Sequence, residues 1–302
     1  MLNQDLTRYV DLHRSMGFKF YTQHSLLRNF VCFAEANGDE FVRVGRVLEW
    51  AVRATSPPQR CNRLRMVRRF AQVMQAEDPR HEVPAADALG QKTFKRRIAY
   101  IYQPNEIVQL MRAAAQLPPL GSIRPLMYST LFGLLAVAGM RISEALALRL
   151  EDVTDDGLIV RQTKFRKSRL LPLHDTTRRA LNEYLSVRLR LGTLDHALLV
   201  STSGKAPAYD TVAVTFRSLA RSIGLRGKPG QLEPRIHDLR HTMAVRSLEQ
   251  CPHDRHAVAR HVIALSTYLG HAHVTDTYWY LQATPILMRQ IADAGEALHQ
   301  GA

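Results

Sequence analysis

Three short stretches of the sequence hold side chains suited to gripping an oxyanion. Arg141 stands directly behind a run of ten apolar residues, 131–140, in the string AGMRISEALALRLEDV. A guanidinium at the mouth of a buried helix is costly to desolvate unless an anion meets it. The alternative is a helix-end arginine satisfied by Glu144 or by backbone carbonyls. His237 and Arg240 in IHDLRH are three residues apart, so both fall on one helical face, a spacing that a purely structural pair would also show. In LGHAHVTDTYWYL, Gly270 precedes His271 and allows a close backbone approach, and Tyr280 follows that histidine by nine residues.

Those side chains need a scaffold, and the sequence supplies helices for most of it. From Thr22, a potential N-cap, Leu26, Phe30, Phe33 and Ala34 recur at helical spacing up to Asn37-Gly38. A second helix is predicted over 41–54, ahead of Pro57-Pro58, and a third over 59–75. The third places Leu64, Val67, Phe70, Ala71 and Met74 on one face and crowds Arg60, Arg63, Arg65, Arg68 and Arg69 elsewhere. Five arginines without a nearby acid suit a phosphate backbone better than a merely solvated face. Over 78–103 periodicity is lost at Pro79, Pro84 and Gly90, and the basic cluster Lys92, Lys95, Arg96, Arg97 reads as a linker able to touch DNA. Pro104 opens a second, mostly helical region. Two β-compatible runs, 158–162 and 169–173, flank a basic hairpin tip at 163–168. Helices are predicted at 177–189, 210–223, 237–249 and 258–268, with a last one opening at Pro285 that carries Leu287, Ile291, Ala294 and Leu298 near one face.

Composition narrows the class of partner. At 302 residues the chain exceeds what one hydrophobic core usually spans, and 46% apolar residues supply two. Lys and Arg number 41 against 27 acidic residues, a formal net charge of +14, which points to a polyanion and to nucleic acid first. A membrane surface is the competitor, but no continuous basic amphipathic helix or lipidation motif supports it. The charged opening lacks the apolar core of a signal peptide, and the ten-residue apolar run is about half of a bilayer crossing. Cys32, Cys61 and Cys251 are widely separated and cannot all pair, which fits a reducing cytoplasm.

Together the reactive side chains resemble the catalytic domain of the tyrosine recombinase family. Its signature is an arginine in a G-x-R-x-S-E-like string, a hairpin lysine, H-x-x-R, L-G-H, and a tyrosine nine residues beyond that histidine. Order and spacing agree at each step. Gly139 and Arg141 come with Ser143 and Glu144, Lys164 lies ahead of Arg169-Leu170-Leu171-Pro172-Leu173, His237 is paired with Arg240, Gly270 with His271, and Tyr280 closes the set. The resemblance covers roughly 100 to 290. It implies a mainly α fold with a small β-hairpin or sheet, in the two-domain architecture of the family. A helical core-binding domain would occupy 1–90, a basic linker 91–103, and an α/β catalytic domain with a C-terminal helix 104–302. Three departures stand out: the hairpin tip lacks the glycines often found there, Asp276 replaces a commonly seen threonine, and Tyr278, read as a core aromatic, offers a second phenol.

The resemblance also implies the chemistry. The tyrosine oxygen attacks a DNA phosphodiester, forming a 3′-phosphotyrosyl bond and releasing a 5′-hydroxyl. Arg141 and Arg240 would hold the non-bridging oxygens, His271 would add a hydrogen bond, His237 would take or shuttle the phenolic proton, and Lys164 would protonate the departing oxygen. Bond energy kept in the covalent intermediate means no ATP, metal or other cofactor is expected. The partners implied are double-stranded DNA and a homotetramer on synapsed DNA, monomeric when free, with accessory recombinases or proteins conceivable. Such an enzyme would be cytoplasmic and bacterial, nucleoid-associated when bound, and the length favours a mobile-element or Xer-like enzyme serving integration, transposition or resolution. Two alternatives stay open. One is a DNA-binding regulator that does not cleave. The other is a metal-dependent phosphodiesterase built on His237, His241, His253, His256 or His271 with Asp238, although carboxylates to complete a metal shell are sparse.

The general-acid role of Lys164 is testable. Proton donation typically contributes about 10²–10⁴-fold in rate, so Lys164→Ala is expected to cleave slowly while still binding DNA. Replacing the bridging 5′-oxygen by sulfur, whose thiolate leaves without a proton, restores its cleavage rate but not that of Arg141→Ala. Rescue of Lys167→Ala instead would move the role to that lysine.

Overall fold

The computed structural model describes residues 1–90, 97–161, 168–192, 195–226, 230, 232–251, 255–281 and 289. The chain divides into two compact units, Met1–Arg96 and Arg97–Ala302. Both are helical; a three-stranded antiparallel sheet in the second unit is the β structure among the described residues. The mainly α architecture with a small sheet expected from the sequence is therefore the observed one.

The first unit holds α1 (Leu2–Ser15), α2 (Tyr21–Ala36), α3 (Val44–Val52) and α4 (Pro57–Glu77). The opening residues, polar on average, form α1 because Leu2, Leu6, Tyr9 and Val10 fall on one face and are buried there. They pack with Leu27, Phe30, Trp50, Val67, Phe70 and Met74 into one core. Pro57 and Pro58 start α4 instead of merely separating two helices, since proline is tolerated in the first turn, where backbone N–H groups have no helical acceptor. The indole of Trp50 donates to Asn29 Oδ1 at 2.8 Å, so its burial leaves no orphaned donor.

The second unit is built around α6 (Ile123–Ala138), whose Met127, Tyr128, Leu131, Phe132, Leu134 and Leu135 are all buried. A helix apolar on nearly every side must be enclosed. It packs against α5 (Pro104–Ala114), α8 (Asp175–Arg190) and α10 (Ile236–Glu249). Gly139 ends α6 in the left-handed conformation, φ +56°, and the chain turns through buried Met140 into the short α7 (Ile142–Ala147). Beyond α7 lie β1 (Val153–Thr154), β2 (Gly157–Val160) and β3 (Arg169–Leu171), paired in that order. The expected hairpin is thus present as β2 and β3, with β1 added by the tight return after Thr154. Its expected tip, 163–168, lies outside the described residues except for Ser168, as do 91–96 of the basic linker and, but for Arg289, the helix expected from Pro285. After α9 (Tyr209–Ser222) and α10, α11 (Arg255–Leu269) and α12 (Thr275–Leu281) complete a smaller apolar cluster of Ala244, Val245, Leu248, Val262, Leu265, Leu269 and Tyr280.

The turn at Gly139 carries the chain from the core helix to Arg141, and a Cβ there would sit 2.9 Å from Met243 Sδ. Gly139→Ala is expected to cost about 1–2 kcal/mol for the left-handed backbone. For a unit of this size that is a fall in Tm of about 2–8 °C by calorimetry; an unchanged Tm would show that the turn relaxes.

Candidate active site

The fold gathers Arg141, His237, Arg240, His271 and Tyr280 from the α6–α7 turn, α10, the α11–α12 turn and α12 into one cluster. Arg141 caps α7. Its backbone N–H donates to Glu144 Oε2 at 2.9 Å and its Nη1 to Glu144 Oε1 at 2.7 Å. The same carboxylate accepts two bonds from Arg169 of β3, at 2.7 and 3.2 Å. Burial alone would raise the Glu144 carboxyl, but the two guanidiniums and the amide outweigh it and hold it at about 2. One ionised carboxylate therefore fixes both arginines, while the Arg141 side chain keeps 30% of its surface open, enough to meet a second anion. Arg169 can lie there because Gly270, at φ +69°, has no side chain: a Cβ would fall 2.7 Å from Arg169 Nη1.

Arg240 is 2% exposed and has no carboxylate among its hydrogen-bond partners. Its Nη1 donates to the Gly139 carbonyl at 2.7 Å and its Nη2 to the Leu269 carbonyl at 2.8 Å and to His271 Nε2 at 3.0 Å. A guanidinium only donates, so His271 Nε2 must accept, which puts the imidazole proton on Nδ1, 2.8 Å from Thr277 Oγ1. Burial first, and then the neighbouring Arg240 and Arg141 cations, push His271 down to about 4, so it is neutral near pH 7. Burial also draws Arg240 below its ordinary value, an effect partly countered by the nearby Tyr280 phenol.

His237 stands at the first turn of α10. The residue is exposed at the surface, yet many protein atoms surround its ring. That desolvation and the Arg240 charge lower its pKa, leaving a neutral base. His241, one turn on, packs edge-on to His237 at 4.8 Å between centroids and lies 5.3 Å from the Tyr280 ring. Burial and His237 push it to about 4. Tyr280 is 3% exposed and lies parallel to His271, centroids 5.9 Å apart. Tyr278, read from the sequence as a core aromatic, is 51% exposed instead, because α12 turns Tyr280 inward and Tyr278 outward.

Lys164 lies outside the described residues, as do Lys92, Lys95 and Arg96. In α4, Arg60, Arg63 and Arg68 each use one donor on a backbone carbonyl of their own unit, those of Ala54, Trp50 and Pro84. Arg63 also stacks over the Trp50 ring at 4.7 Å. Arg65 bonds to Asn62, and Arg69 is exposed. Arg97, exposed, reaches the Glu233 carbonyl within the second unit. Among the described residues no three His, Cys, Asp or Glu side chains converge as a metal-ligand set, and no helix is long and apolar enough to cross a membrane. His253 and the His256 side chain lie outside them.

Sequence reasoning missed Arg169, Thr277 and the place of His241 beside the phenol. The sequence presents Arg169 as the start of a strand, and an arginine opening an otherwise apolar strand is a usable signal. Thr277 carries none, since only the α11–α12 turn brings it to His271.

Comparison with known proteins assigns the family. The model of the phage integrase family matches residues 101–285. The chain is 37% identical over 297 residues to the integrase/recombinase y4rB of Sinorhizobium fredii, a span of 95% of this chain and 94% of that protein. Its fold resembles the Tn1549 transposon integrase in complex with transposon right end DNA, with a TM-score of 0.67 at 15% identity over 96% of this chain and 98% of the other. It also resembles a lambda integrase tetramer bound to a Holliday junction, with a TM-score of 0.61 at 19% identity over 91% and 78%. With a family match over most of its second unit and a relative matched along nearly its whole length, the chain belongs to the phage integrase family and is a tyrosine recombinase, an enzyme of site-specific recombination.

Proposed function

We propose that this recombinase cuts and rejoins duplex DNA through a covalent 3′-phosphotyrosyl intermediate formed by Tyr280. The observation that carries the reading is Arg240, a buried cation satisfied by neutral acceptors alone and close enough to Tyr280 and Arg141 to feel both. Two fixed guanidiniums suit a phosphodiester whose non-bridging oxygens gain charge as a fifth bond forms. The phenol gives its proton to neutral His237 as the oxygen attacks phosphorus. The P–O5′ bond breaks, and the leaving oxygen takes a proton from Lys164. His271 holds the Arg240 fork and closes the oxyanion site from its own side. Reversal of the same steps by another 5′-hydroxyl rejoins a strand with no external energy source.

The role of the reaction is integration, transposition or resolution of a mobile element. It is supported by likeness to an S. fredii integrase/recombinase and to a transposon integrase. Double-stranded DNA is the partner, with Arg60, Arg63, Arg65, Arg68, Arg69 and Arg97, and Lys92, Lys95 and Arg96, contributing contacts, and a homotetramer is the working assembly by analogy with lambda integrase. The protein acts in the cytoplasm, at the nucleoid.

Incubated with sheared genomic DNA and then denatured, the wild-type protein is expected to retain a DNA adduct on gel electrophoresis. Tyr280→Phe forms none while still shifting duplex, and Tyr278→Phe forms the wild-type amount; an adduct on Tyr280→Phe would overturn the assignment. Adduct formation is also expected to continue in excess chelator. Loss there, restored by zinc or magnesium, would put the metal-dependent phosphodiesterase reading in its place.

A further inference from the structure

Beside the catalytic cluster, within the second unit, lies a cleft of about 420 Å³ that the chemistry above does not use. Four guanidiniums, those of Arg97, Arg217, Arg226 and Arg235, line it together with His237 and Tyr209. Two carboxylates oppose the four charges. Glu233 pairs with Arg226, and Asp238 pairs with Arg235 at 3.1 Å. Arg97 donates to the Glu233 backbone carbonyl, which carries no charge. Two positive charges are left without a counterion. Arg217 has no hydrogen bond or ion pair among the described residues, and Arg226 Nε is buried with no partner there. A buried donor left open among the described residues, beside an uncompensated charge, suits an anionic acceptor.

We propose that this cleft is a second phosphate site, which holds a backbone phosphodiester of the DNA next to the one held by Arg141 and Arg240. The inference rests on the DNA-cleaving reading and deepens it. His237 lines the cleft and also belongs to the catalytic cluster, so a strand whose reacting phosphate sits at Arg240 continues past His237 into the four arginines. Phosphates recur along one strand about every 3.4 Å of helix axis, which puts a neighbour within reach of the cleft. The ligand's charge matches, since one phosphodiester plus its flanking neighbour offsets the two unbalanced cations. The apolar floor of Tyr209, Ala213 and Phe216 accepts the sugar face between them. Phosphate contacts of this kind set register and not sequence choice.

Arg217 is the residue to test, because it is exposed and bonded to nothing, so its loss leaves the fold intact. Binding of the full-length protein to a fluorescent 30-base-pair mixed-sequence duplex is measured by anisotropy across a salt series. Arg217→Gln is expected to weaken binding about tenfold, the worth of one charge-assisted hydrogen bond. It should also reduce the slope of log K against log salt by about one. Arg217→Lys restores the slope but not all of the affinity, since an ammonium lacks the planar fork. Arg190→Gln, on α8 and outside the cleft, removes the same charge and is expected to change binding less than twofold. Equal losses for Arg217→Gln and Arg190→Gln, or none for the former, would overturn the site and leave the recombinase reading standing. A wild-type protein that does not bind the duplex at all would remove both.

Discussion

Burying a guanidinium without a carboxylate partner is the constraint that organises the catalytic unit. Taking such a charge out of water costs several kcal/mol unless every donor is met, and Arg240 cannot shed its proton to escape. Its three acceptors come from two places distant in sequence: the carbonyl that ends α6, and, much later in the chain, the carbonyl that ends α11 with the imidazole of the turn that follows. Those ends can meet only if α6, α10 and α11 pack in one arrangement. The geometry of the reactive side chains and the packing of the core are thus parts of one requirement. Because all three acceptors are neutral, the cation stays uncompensated, and an incoming anion finds a site already organised to receive it.

Arg141 solves the same problem by the opposite means. Glu144 neutralises part of its charge and, through Arg169, ties it to the sheet. The small sheet accordingly matters less for its own stability than for the anchor it supplies; three short strands are marginal alone. The result is one guanidinium that is deep and uncompensated and another that is shallow and clamped. Neutral imidazoles at His237, His241 and His271 surround them, because the cations and the loss of water both disfavour further positive charge. A neutral base near a phenol is what proton removal requires.

The first unit uses its arginines differently. Several of those in α4 give one donor to carbonyls at the ends of neighbouring segments. A guanidinium has five N–H donors, so binding one carbonyl leaves most of the fork and all of the charge for an anion. Structural use and phosphate contact are compatible in the same side chain, and the high net charge serves both.

What the sequence determined by itself was the set of candidate reactive residues and most of the helices that carry them. Spacing alone puts His237 and Arg240 on one face, the ten apolar residues before Arg141 demand an enclosed helix, and nine residues separate His271 from Tyr280. These are local features, and local periodicity is what a sequence displays. It could not say which of two nearby phenols turns inward, because Tyr278 and Tyr280 differ only in which side of α12 faces α10. Nor could it show that Glu144 bridges two arginines, that Arg240 fixes the tautomer of His271, or that Arg97, Arg217, Arg226 and Arg235 share a cleft. Each of these depends on at least one pair of residues brought together from well-separated parts of the chain. Only the tertiary structure decides them, since burial and the need to satisfy buried charge act on the folded chain as a whole.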